Sequence, residues 1–277
     1  MSVIQIENLV RDYGGEKGVF GISFHVDQGE AFGFLGPNGA GKTTTIRHLM
    51  GFLKPRSGKC TIDDMDCWSE SEKVQAKLGY IPGEMSFFDD MSGTEFLKFI
   101  TDYRKIGTQN RKKELLERFE LDPKGKIKKM SKGMKQKLGI VAAFMHDPDI
   151  LILDEPTSGL DPLMQNRFVS LVAEEKERGK TILMSSHIFE EVERTCDRIG
   201  IIQKGRMIAV DSAAALHERH TRSYIVTLEN EDAAKAFAAD FDGICSGKKV
   251  TVTTKQSLEE IFMSYYGGEK NDQHSTI

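Results

Sequence analysis

The chain of 277 residues lacks three things: an excess of positive charge, a long apolar run and a cysteine pairing pattern. A formal net charge of -4 argues against a general nucleic-acid binder, which needs basic surface to displace counterions. The longest apolar runs, such as Ile150–Leu153, fall far short of the ~20 residues of a membrane helix, so another chain must supply any crossing. Cys60, Cys67, Cys196 and Cys245 form no C-x-x-C pair and no zinc spacing. With no secretory segment at the N-terminus, they read as reduced thiols of a cytosolic protein. No internal repeat is found. A hydrophobic content of 39% is enough for a proper core in one large domain or two small ones.

Short apolar strands alternate with amphipathic helical stretches, the pattern of an α/β domain. Strands are expected at Ile4–Leu9, Gly21–Val26, Ala31–Leu35, Cys60–Ile62, Ile150–Leu153 and Thr181–Met184. A hairpin is expected from Ile199 to Val210, turned by Lys204-Gly205. From Gly93 to Met145 strands disappear; Phe96, Phe99, Ile100 and Tyr103, then Leu115, Leu116 and Phe119, recur at helical spacing. After Leu216 the composition changes, with strands expected at Tyr224–Leu228 and Lys249–Thr253 and helices at Asp232–Ala239 and Leu258–Tyr266.

Gly36-Pro37-Asn38-Gly39-Ala40-Gly41-Lys42-Thr43 matches G-x-x-x-x-G-K-T, after a strand (AFGFL) and before a helix (Thr44–Met50). Glycines let backbone N–H groups converge on phosphate oxygens, and the helix N-terminus adds its dipole. Lys42 is expected on the β- and γ-phosphates, Thr43 on Mg²⁺, and Thr44 on a neighbouring phosphate oxygen. The alternative, a glycine-rich turn that binds nothing, is disfavoured by the lysine, the threonine and both flanking elements.

Asp149 to Glu155 reads DILILDE, an apolar run ending in two carboxylates. A strand buried on both faces of a parallel sheet reads this way, and ligands sit at its C-terminal end. Asp154 is expected to hold Mg²⁺ through water and Glu155 to polarise the water that attacks the γ-phosphate; the alternative is that both only cap the following turn. His187 ends a second such strand, in LMSSHIFEEVE, as either a structural hydrogen-bond partner or a γ-phosphate contact. The stretch MSKGMKQKLG carries the marks of a helix start, with Ser131 at the N-cap, Gly133 behind it, and Met134, Leu138 and Val141 at helical spacing.

The phosphate loop GPNGAGKTT, SKGMKQKLG, ILILDEPTSGLDP and SSH, in this order and spacing, resemble the ATP-binding subunit of an ABC transporter. The likeness runs from about Ile4 to Asp211. SKGM with PTSGLDP and a C-terminal extension is most similar to the ABC-2 group, mostly bacterial exporters of drugs, peptides, lipids or polysaccharides. The resemblance implies a P-loop NTPase core of RecA type with an antiparallel β subdomain. It implies a cassette over residues 1–215 with a helical insert at about 85–145; the composition change after Leu216 gives a small α+β appendage at 216–268, and the ending, without apolar periodicity, a disordered tail at 269–277. It implies that Ser131 and Gly133 bind the γ-phosphate of ATP held by the opposite subunit of a head-to-tail dimer. Ser158 to Asp161 would form the D-loop joining the two sites, and Tyr13 would stack on adenine, unless it is an ordinary turn tyrosine. The partners implied are a transmembrane permease subunit and a second ATP-binding subunit, alike or different, with no nucleic acid. The chain would then lie in the cytoplasm, peripheral on the inner face of the cell membrane.

The sequence departs from the family in two places. Gly83 occupies the position of a glutamine that contacts Mg²⁺, and Glu84 follows, either as a substitute ligand or as part of a flexible hinge. Lys132 replaces the first glycine of the LSGGQ signature and Met134 its glutamine. Seven lysines lie between Lys124 and Lys137, a solvated face or one that favours phosphate or acidic headgroups. Met85 to Phe88 either receives a coupling helix from the membrane partner or packs inside the insert. Two competing functions remain open: a soluble ABC ATPase outside transport, and an ATP-binding switch without turnover.

Overall fold

The structure, a computed structural model, describes residues 1–88, 90–108, 110–219 and 221–266. The chain divides into two compact units, Met1–Val210 and Asp211–Ile277. The tail expected at 269–277 lies outside the described residues.

The first unit opens with β1 (Ser2–Gly14), β2 (Lys17–Asp27), β3 (Ala31–Leu35) and α1 (Lys42–Leu49). β4 (Ser57–Ile62), β5 (Met65–Asp66), α2 (Ser71–Lys77) and β6 (Leu78–Ile81) follow. A helical section comes next: α3 (Gly93–Tyr103), α4 (Asn110–Arg118) and α5 (Lys132–Phe144). The unit then alternates through β7 (Ile150–Asp154), α6 (Pro162–Glu177), β8 (Thr181–Ser186) and α7 (Phe189–Thr195), and ends with β9 (Arg198–Gln203) and β10 (Arg206–Ser212).

Two sheets organise this unit. β2-β1-β4-β5 is antiparallel throughout, and β10-β9-β3-β8-β7-β6 is parallel from β9 to β6. β3, β7 and β8 are buried at every residue, as expected of strands covered on both faces. Phe24 of β2 stacks on Phe32 of β3 at 4.9 Å between centroids and tilts against Phe34, so aromatic packing joins the two sheets. Gly33 is required by close approach: a Cβ there would come within 2.3 Å of Val192 Cγ1 on α7.

The helical section is recognisable from its caps and faces. Ser92 and Glu95 form a reciprocal capping box at the start of α3, and Ser131 caps α5 by accepting from Met134 N. The apolar spacing finds α3, and the structure shows which face turns inward: Leu97 is buried, while Phe99 and Tyr103 are exposed. Met134 is exposed, while Leu138 and Val141 are buried along α5, as is Gln136. α4 is held on α6 by ion pairs, with buried Glu175 facing both Arg111 and Arg178, and Arg118 forking onto Glu174 at 2.6 Å. The expected elements include neither α6 nor α7 nor the two-residue β5, although Met164, Phe168, Leu171 and Val172 of α6 recur at helical spacing and are buried.

The second unit comprises α8 (Ala213–Arg219), β11 (Thr221–Thr227), α9 (Glu231–Asp240), β12 (Ile244–Ser246), β13 (Lys249–Lys255) and α10 (Leu258–Tyr266). Its sheet runs β11-β13-β12, antiparallel, with Ala234 and Val250 buried.

His146, just beyond α5, sets its Nε2 against the Leu78 carbonyl at 3.1 Å while its Nδ1 is buried without a partner. Burial, helped by the Arg104 charge, pushes its pKa from 6.5 down to about 4. The unfolded chain therefore takes up a proton that the folded chain refuses, and stability falls as pH drops from about 6.5 toward 4. His146→Gln, which can still donate to the carbonyl, is expected to flatten the pH dependence of the urea midpoint in that window.

Candidate nucleotide-binding site

The parallel register brings distant segments to one edge. Leu35 pairs with Ser186, Asp154 with Ser185, and Ile81 with Leu153. The residues that follow these strand ends are the phosphate loop, Glu155, His187 and Gly83, which is where an open α/β sheet places its ligand.

The phosphate loop is bent by Gly39 and Gly41, at φ 80° and 111°, a region open to glycine. A Cβ at Gly36 would come within 2.6 Å of the Ile202 carbonyl oxygen, and Ala40 is buried beneath the loop. α1 starts at Lys42 with no side-chain cap and no acidic residue in its first turn, leaving its N–H groups and its positive end for an anion. The Lys42 ammonium donates to the carbonyls of Gly36 at 2.6 Å and Pro37 at 3.2 Å and lies 3.0 Å from Glu155 Oε1. Backbone and carboxylate thus hold the lysine across the mouth of its own loop.

Glu155 adopts φ 50°, the left-handed region that a non-glycine residue enters at a cost. Its N–H donates to the Ser185 carbonyl at 3.2 Å and to Ser185 Oγ at 3.1 Å, which fixes the bend. The bend directs one carboxylate oxygen to Lys42 and the other to His187 Nδ1. His187 is exposed, with its second nitrogen away from this contact.

Asp154 has no solvent exposure. Ser185 Oγ donates to its Oδ1, while Oδ2 is buried with no hydrogen-bond partner. Burial pushes its pKa up; the Ser185 and Thr43 hydroxyls oppose this, and the neighbouring Glu155 charge adds to it. An orphaned carboxylate oxygen beside a threonine hydroxyl is a hard oxygen donor set that fits Mg²⁺. Among the described residues no group of three or more His, Cys, Asp or Glu forms a metal cage. Two protein oxygens suit a magnesium ion that draws its other ligands from phosphate and water.

The site opens on one cleft of about 710 Å³, which the expected Gly36, Ala40 and Asp154 do not line. It brings together the expected Tyr13, Pro37, Asn38, Gly39, Gly41, Lys42, Thr43, Thr44, Gly83, Glu84, Glu155 and His187. Tyr13 is half exposed at the wall, with the Arg11 guanidinium 5.3 Å from its ring centroid. Glu84 is exposed, and a Cβ at Gly83 would lie 3.0 Å from Asp154 Oδ2, so glycine brings the backbone close to the orphaned oxygen. Ser131 and Gly133 do not border the cleft, although Lys132 between them does. Sequence reading gave no site role to Lys17, Arg47 and Tyr80, which also line it, or to Ser185, which organises both carboxylates. The two serines closing the apolar strand ILMSS were the available signal for Ser185.

Comparison with known proteins matches residues 19–158 to the ABC transporter family. The linearmycin resistance ATP-binding protein LnrL of Bacillus subtilis (strain 168) is 38% identical over 255 residues, 90% of this chain and 82% of that protein. The bacitracin transport ATP-binding protein BcrA of Bacillus licheniformis is 39% identical over 212 residues, 75% of this chain and 69% of that protein. The solved structure of an ATP-binding subunit of an ABC transporter superposes with a TM-score of 0.71 at 31% identity, covering 79% of this chain and 93% of that one. The dimeric bacterial ABC transporter cassette MJ0796, 22% identical with a TM-score of 0.68, shares the fold over 76% of this chain and 98% of its own. The chain therefore belongs to the ABC transporter family, as an ATP-binding and ATP-hydrolysing subunit.

Proposed function

We propose that the cleft holds MgATP and that two ATP-binding subunits close head to tail around two nucleotides, driving export through a separate transmembrane partner. The observation that carries the site assignment is Glu155 wedged between Lys42 and His187 above the orphaned Asp154 oxygen.

In this reading Lys42 leaves the Gly36 and Pro37 carbonyls for the β- and γ-phosphates, and the loop N–H groups from Gly39 to Thr44 cradle the rest. Thr43 and Asp154 hold Mg²⁺, which when bound neutralises charge developing on the phosphates. Once phosphate takes Lys42, Glu155 is free to orient and deprotonate the attacking water, with His187 contacting the γ-phosphate through its exposed edge. Tyr13 stacks on adenine. Ser131 and Gly133 lie away from the cleft of their own chain, which agrees with a role toward a nucleotide on the facing subunit. The cassette is assigned to residues 1–215 and the appendage to 216–268.

No helix among the described residues is long and apolar enough to cross a membrane, so the crossing is assigned to the partner. Phe88, Phe99 and Tyr103 form an exposed aromatic ladder, with centroids 6.0 and 6.2 Å apart, beside Phe87, which packs edge-on against Phe96. Such a patch on the helical section is the docking place for the permease, which holds the subunit at the inner membrane face. The linearmycin-resistance and bacitracin-transport relatives support export as the direction.

Glu155→Gln is expected to bind ATP while phosphate release falls by about 10²–10⁴-fold. Glu84→Ala is expected to raise the Mg²⁺ concentration needed for half-maximal turnover, with Glu84→Gln between it and the parent. Unchanged Mg²⁺ dependence in both would remove Glu84 from the metal site. A tagged chain recovered from detergent-solubilised membranes of its host is expected to bring a multi-spanning protein with it, and Tyr103→Glu to reduce that recovery. Mass spectrometry of the eluate checks both.

A further inference from the structure

We propose that Lys132 is an additional phosphate-binding residue: its ammonium rests on Ser158 in one chain and moves to the terminal phosphate held by the facing subunit when two chains close. This rests on the head-to-tail reading above and adds a charge that neither Ser131 nor Gly133 supplies.

Lys132 is the first residue of α5, and Lys135 follows in the same turn with no acidic residue between them. A cation at the positive end of a helix is unfavourable, so α5 itself gives no reason for the charge to be there. Its neighbours Lys126 and Lys128 have carboxylates, Glu95 and Asp90, within 3.6 Å. Lys132 instead donates to the neutral Ser158 Oγ at 3.0 Å, with no carboxylate in ion-pair reach among the described residues.

The arm is guided. A Cβ at Gly159 would sit 2.9 Å from Lys132 Cγ and Cδ, so the bare glycine at φ 84° makes the channel for the stem. A Cβ at Gly133 would lie 2.9 Å from the Gly159 carbonyl oxygen, which locks the start of α5 onto the same loop. The ammonium at the end of this arm has only a hydroxyl to leave, and a phosphate oxygen offers a charge-assisted bond in exchange. Ser158 also donates its N–H to the Glu155 carbonyl at 3.1 Å, so the lysine's departure frees a hydroxyl one turn from the general base.

The test uses the full chain carrying Glu155→Gln, with dimer mass followed by light scattering as MgATP is raised. Lys132→Met keeps the stem on Gly159 and removes only the charge. It is expected to raise the half-dimerising ATP concentration by roughly tenfold, the loss of one charge-assisted hydrogen bond. Lys132→Arg is expected to restore most of the response, and Lys135→Ala, which removes a charge from the same turn, to leave it near the parent's. The proposal is overturned if Lys132→Met dimerises at the parent's ATP concentration, or if Lys135→Ala shifts it as far. If the parent itself stays monomeric with ATP, the dimer reading falls and takes this one with it. A dimerising parent alongside an unaffected Lys132→Met removes the lysine alone.

Discussion

The site depends on the register of four neighbouring parallel strands. β3, β8, β7 and β6 end level with one another, so Gly36, His187, Glu155 and Gly83 emerge side by side although they span more than half of the chain. A slip of one residue would reverse the faces of β7, turning Asp154 away from Thr43 and Glu155 away from Lys42. β3, β7 and β8 are buried at every position, so that slip would also misplace Ile152 and Leu183, both without solvent exposure. The hydrophobic core and the chemistry are thus specified by the same pairing.

Charge placement at this edge is economical. Lys42, almost fully buried, has its charge matched by Glu155, while Asp154 next to it is left with one oxygen unmatched. An unsatisfied buried carboxylate oxygen is costly, and burial raises the pKa of its group accordingly. A divalent cation removes that cost. Nucleotide bound with a metal, as proposed, would therefore convert two unfavourable features, an open helix N-terminus and an orphaned carboxylate, into favourable ones.

The parts of the site legible in the sequence are those built from contiguous residues. Gly36 to Thr43 announces a loop, a cation and a hydroxyl within eight positions, and DILILDE announces a buried strand with acids at its end. Ser131 as a helix cap was equally local, and the structure has its hydroxyl accepting from Met134 N. What eluded the sequence involves partners far apart in the chain. Ser185 reaches Asp154 and Glu155 from about thirty residues away, and Glu175 takes Arg111 from 64 residues away. Which face of α3 turns inward depends on what lies beneath it, and helical spacing marks the helix without saying that Leu97 rather than Phe99 and Tyr103 is buried. A stripe of Phe and Tyr satisfies helical periodicity whether it meets a core or is left exposed.

The left-handed backbone at Glu155 has an evolutionary side. A glutamate held at φ 50° stores strain on the order of 1 kcal/mol or more, sustained because Ser185 grips the peptide N–H from two directions. Glycine at that position would relax the turn and remove a carboxylate from an enclosed, electrostatically crowded corner. With Glu155 as the proposed base, drift toward a sturdier protein points toward an inert one, and a lineage released from the need to turn over nucleotide would find a stabilising change at that residue.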